Sequence, residues 1–565
     1  MDRFKKIILP MQGHSKSDLH WLYNTRSENE PPLVFNYSNL EFWFEGTSYR
    51  SSEKMLLNIR VPADIIGGNM DLSNIACETY FLHLLYPIIE KLSFSNSNIN
   101  KNFQQKAHFE MQRPDEHIVR RSGIQYSERA KAYTLRINFS VPLVNSISVN
   151  SKATIRAIRS VLDSINEVLA NFDYTELEIY IKTQLKQQEV REYMKKNELC
   201  SFVANGSILP REGGTALPLR GGVPFVSPKE MEVVIPLSDG TQIIGMGIKR
   251  GITVITGGGY SGKSTLLDAI EMGIYNHVPG DGREFVLTDE SALKIYAEDG
   301  RPITNLDLSP FFKKLPGCIE FHNFSTLHAS GSVSQAANII EAVSLRCKLL
   351  LLDEDKSATN FMIRDQNMRL IIKNDPIIPF TDRIRELYQQ RSVSTILVIG
   401  GSSEYLAYAD EVVLMDNYLP HVITEEVKCL KTSSDVTSET IASWAESRFL
   451  VPNEATTDFM FFKSVKTENQ KIISVDKYSS DISFLTSLVS NEQLNTLACV
   501  IERLLIEQTA DSIELLDKVE TCIAMMFSEN SEPRIWHAVT QQFYTEIRPI
   551  DACCCINRMR GLLLN

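Results

Sequence analysis

The sequence reads Gly257-Gly-Gly-Tyr-Ser-Gly-Lys-Ser264 at the point that decides the fold of its central part. These eight residues fit the phosphate-loop motif G-x-x-x-x-G-K-[ST], also called Walker A, without a mismatch. A short β-branched stretch at 252–256 precedes the motif, and an apolar, helix-like stretch at 265–270 follows it. Because strand, glycine-rich loop and helix come in this order, the sequence predicts a P-loop nucleotide-binding core of the α/β class.

Each part of the phosphate loop has a physical role in holding the phosphates of a nucleotide. Glycines let successive backbone N–H groups point at phosphate oxygens, and the following helix N-terminus adds about half a positive charge. We expect Lys263 to reach the β- and γ-phosphates and the hydroxyl of Ser264 to ligate Mg²⁺. The residues predicted to bind ATP here are Gly257, Gly258, Gly259, Tyr260, Ser261, Gly262, Lys263, Ser264 and Thr265.

A second acidic motif, Lys348-Leu-Leu-Leu-Leu-Asp-Glu-Asp355, begins 85 residues after Lys263. Four consecutive leucines are typical of a strand covered on both faces of a parallel sheet. Asp353 would stand at the carboxyl end of this strand, where ligands bind in open α/β sheets, and we expect it to hold Mg²⁺. Glu354 is placed to polarise an attacking water, so we predict Glu354 and Lys263 as the catalytic residues.

The strands that end near Thr256, Leu352 and Ile399 should be parallel neighbours, because each is short, apolar and followed by a polar loop. Between the two motifs lies Ala329-Ser-Gly-Ser-Val-Ser-Gln335, which runs into a helix-like stretch at 336–342. Free N–H groups, a hydroxyl and the helix dipole at such a start can bind an anion. On its own, the serine would be an ordinary helix N-cap, whereas its place before the acidic strand favours anion binding.

Phosphate loop, Ser-Gly helix start and leucine-rich Asp-Glu strand, in that order, resemble the nucleotide-binding core of the ABC ATPases. The sequence resembles one soluble family more closely still, described as predicted ATPases of the ABC class. The matching strings are Phe202-Val-Ala-Asn-Gly-Ser-Ile-Leu-Pro-Arg211, Gly245-Met-Gly-Ile248, Gly257-Gly-Gly-Tyr-Ser-Gly-Lys-Ser-Thr265, Asn276-His-Val-Pro-Gly-Asp-Gly-Arg-Glu284, Ala297-Glu-Asp-Gly-Arg301, Ala329-Ser-Gly-Ser332, Asp353-Glu-Asp-Lys-Ser-Ala-Thr-Asn-Phe-Met-Ile-Arg-Asp365 and Ile399-Gly-Gly-Ser402.

The resemblance implies a homodimer that binds and hydrolyses ATP with Mg²⁺. It implies that Ser330, Gly331 and Ser332 form a signature motif that touches the γ-phosphate bound by the other subunit. The loop at 357–360 would meet its twin across the dimer. RNA is the partner that the resemblance implies, because at least some members of the family associate with RNA.

The sequence departs from the general ABC pattern at two places in the hydrolytic site. The switch histidine is missing, and its place falls on Gly401. No glutamine lies between Ser264 and Gln335, so we expect Glu298 or Asp299 to take the place of the usual water- and Mg²⁺-sensing glutamine. The missing histidine favours slow turnover.

Two further departures concern the nucleotide pocket. No aromatic residue lies between Val226 and Gly259 to stack on adenine, which leaves Phe225 as the candidate. The narrower family usually has histidine where this chain has Ser261.

Composition restricts the classes of protein that the chain can represent. The 565 residues suggest about three to four domains. With a net charge of −12, only a local patch could attract a polyanion. No apolar run approaches the ~18 residues of a membrane span, so we expect no membrane contact. The 10 cysteines include no Cys-x-x-Cys pair, which indicates reduced thiols in the cytoplasm or another reducing intracellular compartment.

We predict three regions: an N-terminal α/β domain at 1–225, the ABC-type core at 226–430 and a mainly helical region at 431–565. Alternating residues at 57–62 and 133–139 predict strands, and spacings of three and four at 155–169, 491–508 and 511–527 predict helices. The basic tract at 101–136 fits either a solvated face or a polyanion-binding surface. Cys553-Cys-Cys555 fits either small apolar filler or a metal site.

Several functions are compatible with this set of motifs. The leading one is a homodimeric ATPase coupled to RNA, and the alternative is an ATP-dependent scaffold with little turnover. The missing histidine favours the scaffold, whereas Glu354 speaks against it, because a clamp needs no general base. Ser330-Gly331 speaks against a phosphotransferase, and a transporter would need a separate membrane partner.

Overall fold

The computed structural model describes residues 1–19, 33–46, 55–66, 71–95, 107–144, 147–313, 321–364, 366–429, 442–444, 447–450, 465–468, 471–475, 478–506, 513–528 and 543–559. The chain divides into two compact units. The first unit comprises Met1–Lys182 and Ala524–Glu546, and the second comprises Thr183–Ile523 and Ile547–Asn565.

The first unit contains an antiparallel sheet in the order β1-β2-β3-β6-β4, with β5 also paired to β6. Its strands, with a separate β7–β8 pair, are β1 (Phe35–Tyr37), β2 (Leu40–Gly46), β3 (Met55–Pro62), β4 (His108–Met111), β5 (Ile124–Ser127), β6 (Ala132–Ser140), β7 (Leu143–Val144) and β8 (Ser148–Val149). The predicted strands at 57–62 and 133–139 are confirmed as parts of β3 and β6.

Helices pack on this sheet through their apolar faces. They are α1 (Asp2–Ile8), α2 (Ala63–Ile66), α3 (Ile75–Ser95), α4 (Ser151–Ala170) and α5 (Tyr174–Lys196), which extends into the second unit. The predicted helix at 155–169 is α4, which buries Ile158, Leu162 and Ile165 at spacings of three and four. Asn150 starts this helix by accepting a hydrogen bond from Ala153 N at 3.1 Å.

The second unit holds the phosphate loop on a six-stranded sheet in the order β14-β17-β18-β12-β19-β20. The strands of this unit are β9 (Leu199–Ala204), β10 (Glu232–Pro236), β11 (Gln242–Lys249), β12 (Ile252–Gly257), β13 (Val286–Thr288), β14 (Leu293–Ile295), β15 (Ile303–Leu306), β16 (Phe324–Thr326), β17 (Leu349–Asp353), β18 (Ser394–Val398), β19 (Glu411–Asp416), β20 (Leu419–Val422), β21 (Phe449–Leu450), β22 (Val465–Glu468), β23 (Ile472–Val475), β24 (Tyr478–Asp481) and β25 (Ile513–Glu514). All neighbours in the six-stranded sheet are parallel except β19 and β20.

The predicted parallel arrangement of the three apolar strands is confirmed. β18 pairs with β12 on one side and with β17 on the other. The acidic strand β17 is therefore not the immediate neighbour of the phosphate-loop strand β12, since β18 lies between them. Both β17 and β18 are buried along their whole length, as continuous apolar runs of a covered parallel sheet require.

The remaining helices include those predicted at 265–270 and 336–342, together with others, not all of which were predicted. They are α6 (Lys263–Met272), α7 (Gly331–Ser344), α8 (Thr359–Met362), α9 (Gln366–Ile371), α10 (Ile384–Arg391), α11 (Thr424–Cys429), α12 (Asn491–Ile506), α13 (Leu515–Met526) and α14 (Pro549–Asn557). Short 3-10 turns are found at Leu9–Met11, Lys16–Leu19, Lys229–Met231, Glu354–Lys356, Phe380–Asp382 and Glu404–Ala407. The predicted helices at 491–508 and 511–527 correspond to α12 and α13, except that Ile513–Glu514 form β25 and not helix. Residues 507, 508, 511 and 512 lie outside the described residues.

The two units divide the chain differently from the three regions proposed from the sequence. A boundary at 225/226 falls inside the second unit, because β9 pairs with β11 and β13 in the antiparallel sheet β10-β11-β9-β13. The C-terminal region contributes α12 and α14 to the same unit. It also contains the three-stranded sheet β22-β23-β24, which had no signal in the sequence.

A buried ionic cluster joins α14 to the centre of the second unit. Arg558 donates to Glu298 at 2.6 and 3.0 Å and to Asn338 Oδ1 at 2.8 Å. Arg301 donates to the same Asn338 oxygen at 2.7 Å and to Glu341. The cluster therefore ties the segment around Glu298 to α7 and to the C-terminal helix.

None of the nine cysteines in the described parts of the chain forms a disulfide. Cys553, Cys554 and Cys555 lie buried in α14, and burial raises the pKa of the Cys554 thiol to about 12 and that of Cys555 to about 11. Metals bind thiolates, so this environment favours the interpretation of the three residues as apolar filler. None of the described helices combines the length and apolarity that a membrane crossing needs.

Candidate functional site

The phosphate loop connects β12 to α6 with two glycines that no other residue could replace without strain. Gly257 has φ +145°, and a Cβ there would lie 2.4 Å from the Met415 carbonyl oxygen. Gly262 has φ +99° and directly precedes the first helical residue, Lys263. A Cβ on Gly258 or Gly259 would meet no atom within 4 Å, so the middle of the loop is open to a ligand.

The ammonium group of Lys263 lies over the loop itself. Its Nζ donates to the carbonyl oxygens of Gly257 at 2.7 Å and Gly258 at 2.6 Å. This places a positive charge directly beside the open loop, where phosphate oxygens would be attracted to it. Ser264 is exposed and Thr265 is half-buried in the first turn of α6.

Ser261 and Tyr418 form one wall of the loop. The N–H of Tyr418, in the turn between β19 and β20, donates to Ser261 O at 3.2 Å, and a Cβ on Gly262 would lie 3.2 Å from the Tyr418 ring. Within the described residues, the buried Ser261 hydroxyl has no hydrogen-bond partner. An unsatisfied buried hydroxyl beside an open loop fits a site that takes a polar ligand.

Asp353 is the last residue of β17, at the carboxyl end of the parallel strands of the sheet that carries the phosphate loop. Its side chain is 7% exposed, and it accepts a hydrogen bond from Asp355 N at 3.1 Å. Burial raises the pKa of Asp353, so the carboxylate lacks full solvation. A carboxylate of this kind and the hydroxyl of Ser264 are oxygen donors that suit Mg²⁺, so the residues present fit the ion.

The carboxylate of Glu354 is held by the loop that follows β18. Its Oε2 accepts hydrogen bonds from Gly400 N at 2.6 Å and Gly401 N at 3.0 Å. The position where related ATPases have the switch histidine therefore supplies backbone donors to the predicted base. Sequence reasoning missed this contact, because a main-chain N–H group leaves no residue-type signal.

The predicted signature lies at the start of α7. Ser330 takes the N-cap position in an extended conformation, but its exposed side chain makes no capping hydrogen bond. Ser332 is 8% exposed and donates to Asn360 Oδ1 at 2.6 Å. The first turn of α7 thus leaves Ser330 facing solvent, and Ser332 connects the signature to the loop at 357–360.

Two residues suggested as substitutes for missing ABC features have other roles, so these suggestions were wrong. Glu298 is buried in its ion pair with Arg558 and does not face an open site. Phe225 is 1% exposed, so its ring is not available to stack on adenine.

Asp299, the other suggested substitute for the glutamine, is exposed, and its Oδ1 would lie 3.2 Å from a Cβ placed on Gly331. Tyr418, 55% exposed, is an aromatic residue beside the loop that sequence reasoning overlooked.

The basic tract of the first unit is partly used in internal contacts. Arg121 is buried against Asp115 at 2.5 Å, and Arg136 donates to Ser122 O and Gln125 Oε1, both at 2.7 Å. The side chains of Arg113, Arg120 and Arg129 are exposed. Lys101 and Lys106 lie outside the described residues.

The strand–loop–helix at Gly257 and the acidic end of β17 have the arrangement of a P-loop domain of the ABC class. Residues 173–448 match the family described as ABC_ATPase: P-loop domain. The chain is also 30% identical over 295 residues to the uncharacterized protein MJ1628 of Methanocaldococcus jannaschii. That match covers 50% of this chain and 61% of the relative, so the chain spans about three fifths of the relative's length.

The chain is also similar to solved structures of ABC transporter components. One is cbiO1 from Clostridium perfringens, part of an ABC transporter complex, at 20% identity, 35% coverage of this chain, 88% of that chain and a TM-score of 0.23. Another is the ADP conformation of MJ1267, an ATP-binding cassette of an ABC transporter, at 15% identity, 35% and 91% coverage and a TM-score of 0.23.

Proposed function

We propose that the chain is an ATPase that hydrolyses Mg-ATP at the site formed by the phosphate loop, Asp353 and Glu354. The observation that carries this proposal is the position of Glu354. It directly follows the predicted Mg²⁺ ligand, and the main chain of a neighbouring strand's loop holds its carboxylate. A scaffold that only clamps ATP has no need for a carboxylate in this place, so the geometry favours turnover.

The residues divide the work of phosphoryl transfer in a simple way. The loop N–H groups and Lys263 hold the β- and γ-phosphates and offset their charge. Ser264 and Asp353 would hold Mg²⁺, which neutralises charge on the phosphate oxygens when bound. Glu354 accepts a proton from water as the water oxygen bonds to the γ-phosphorus. The bond to the β-phosphate oxygen breaks, and ADP leaves.

A second copy of the chain is the partner that completes this site. An ABC-type site, as the sequence resemblance implies, needs a phosphate loop and a signature facing it from another core. This chain carries one of each, at 257–264 and 329–332. The exposed Ser330 hydroxyl, which does not cap its own helix, supports a role outside its own subunit. A two-fold pair would close two sites at once.

ATP should therefore tighten a homodimer, most clearly in Glu354→Gln, which binds ATP without consuming it. The measurement is light scattering of this variant with and without Mg-ATP. Adding Ser330→Asp should abolish the ATP-dependent dimer, because its charge repels the γ-phosphate. Aspartate is as good an N-cap as serine, so a mere cap would tolerate this change. A monomer under both conditions would refute the role of Ser330 across the dimer.

We propose RNA as the partner that the ATPase acts on. The resemblance to a family in which at least some members associate with RNA supports this, as do the exposed arginines Arg113, Arg120 and Arg129. ATP turnover with and without added RNA separates this function from the scaffold alternative. A scaffold shows little turnover in either condition, whereas an RNA-coupled ATPase is stimulated by RNA.

A further inference from the structure

The strongest unassigned feature of the site is the pair of main-chain donors at Gly400 and Gly401. Two consecutive N–H groups converge on one carboxylate oxygen, Glu354 Oε2, at 2.6 and 3.0 Å. Successive backbone N–H groups that point the same way form a small concavity that binds anions. Because both bonds go to Oε2, the other oxygen, Oε1, keeps its capacity to accept a proton from water.

The loop that carries these donors is anchored on both sides. Ile399 N, directly before the pair, donates to Ile255 O on β12 at 2.9 Å, which fixes the loop to the phosphate-loop strand. After the pair, the buried Tyr405 hydroxyl donates to Met362 O at 2.7 Å. The donors are therefore placed by the sheet on one side and by a contact with α8 on the other.

We propose that the N–H groups of Gly400 and Gly401 position Glu354 for catalysis, in the place where related ATPases use a histidine. This inference rests on the proposed function of Glu354 as the base. The two donors fix Oε2 and so direct Oε1 toward the attacking water. Main-chain atoms of the two glycines thus take the place of a histidine side chain. Unlike that side chain, they do not have to be held in one rotamer.

Substituting proline or alanine at position 401 distinguishes the effect of losing the N–H group from the effect of adding a side chain. Gly401→Pro removes the donor, whereas Gly401→Ala keeps it. A Cβ on Gly401 would lie 4.0 Å from Glu354 Oε1, an ordinary contact, and neither glycine has a φ in the left-handed range. Loss of a hydrogen bond to a charged group should lower kcat by on the order of 10-fold in Gly401→Pro, with KM for ATP unchanged. Gly401→Ala keeps the donor, so its kcat should exceed that of Gly401→Pro by on the order of 10-fold.

A double-mutant cycle shows whether the effect runs through Glu354. In the Glu354→Gln background, Gly401→Pro should lower the residual turnover no further, because the base is already gone. Equal kcat for Gly401→Pro and Gly401→Ala would overturn the positioning role, as would an additive effect in the cycle or a rise of kcat in Gly401→Pro. Gly400→Pro, which removes the shorter bond, serves if Gly401→Pro does not fold. Full turnover in Glu354→Gln would instead overturn the proposed function itself.

Discussion

Glu354→Gln should lower kcat for ATP hydrolysis by about 10²- to 10⁴-fold, the usual contribution of a general base. The amide cannot take the proton from water, although its oxygen can still accept the hydrogen bonds from Gly400 and Gly401. ATP binding should persist, since Lys263 and the loop N–H groups hold the phosphates. The measurements are steady-state phosphate release and the affinity for a fluorescent ATP analogue.

The matched control for this variant is Asp355→Asn. Asp355 follows Glu354, is exposed and carries the same charge, but only its backbone N–H contacts Asp353. Its replacement should leave turnover unchanged. Turnover in Glu354→Gln equal to that of the parent would remove Glu354 from the mechanism.

Arg558→Met should lower the free energy of unfolding of the second unit by about 3 kcal/mol. The change leaves the buried Glu298 without its main cation, and a buried charge without its partner is costly. The nearby Arg301 remains, which is why the lower end of the usual range is expected. Urea unfolding, followed by a probe in this unit, measures the loss.

The matched control for the buried pair is Arg346→Met. Arg346 pairs with Glu514 at 2.7 Å, but its side chain is exposed, so its loss should cost less than about 1 kcal/mol. Equal losses in the two variants would contradict the importance of the buried cluster.

The pH dependence of Arg558→Met follows from Glu298. Burial alone would raise the pKa of Glu298, but the Arg558 guanidinium, together with Arg301 and Asn338, holds that pKa below its usual range. The stabilisation from the pair is therefore complete above the unfolded pKa and is lost as pH falls through the folded one. In Arg558→Met the pKa should rise, so the stability difference from the parent should shrink as pH falls.

The strand, loop and helix around Lys263 could be predicted because their signal is local. Glycines, one lysine and apolar flanks on either side encode them within about twenty residues. The acidic end of β17 was equally readable, because a run of four leucines ends directly in Asp353. The insertion of β18 between β17 and β12 has no such local signal and is seen only in the sheet.

The misassigned residues have partners that are distant in sequence. Glu298 was predicted to take the place of a glutamine. Its partner Arg558 lies 260 residues away in sequence, and their ion pair makes Glu298 a buried structural residue. Phe225 was proposed to stack on adenine because it lies near the expected position in sequence. Tyr418, in contrast, reaches the phosphate loop from the turn between β19 and β20. Long-range pairing of this kind cannot be derived from one sequence.

The most direct test of the account is phosphate release from ATP by the purified chain with Mg²⁺, measured beside Lys263→Ala. The parent should release phosphate in a Mg²⁺-dependent reaction, and Lys263→Ala should bind ATP weakly and lose the activity, because the charge on the phosphates is gone. Lys249→Ala, an exposed lysine on β11, should behave like the parent. Equal release by the parent and Lys263→Ala, or no release by the parent, would contradict an ATPase site at this loop.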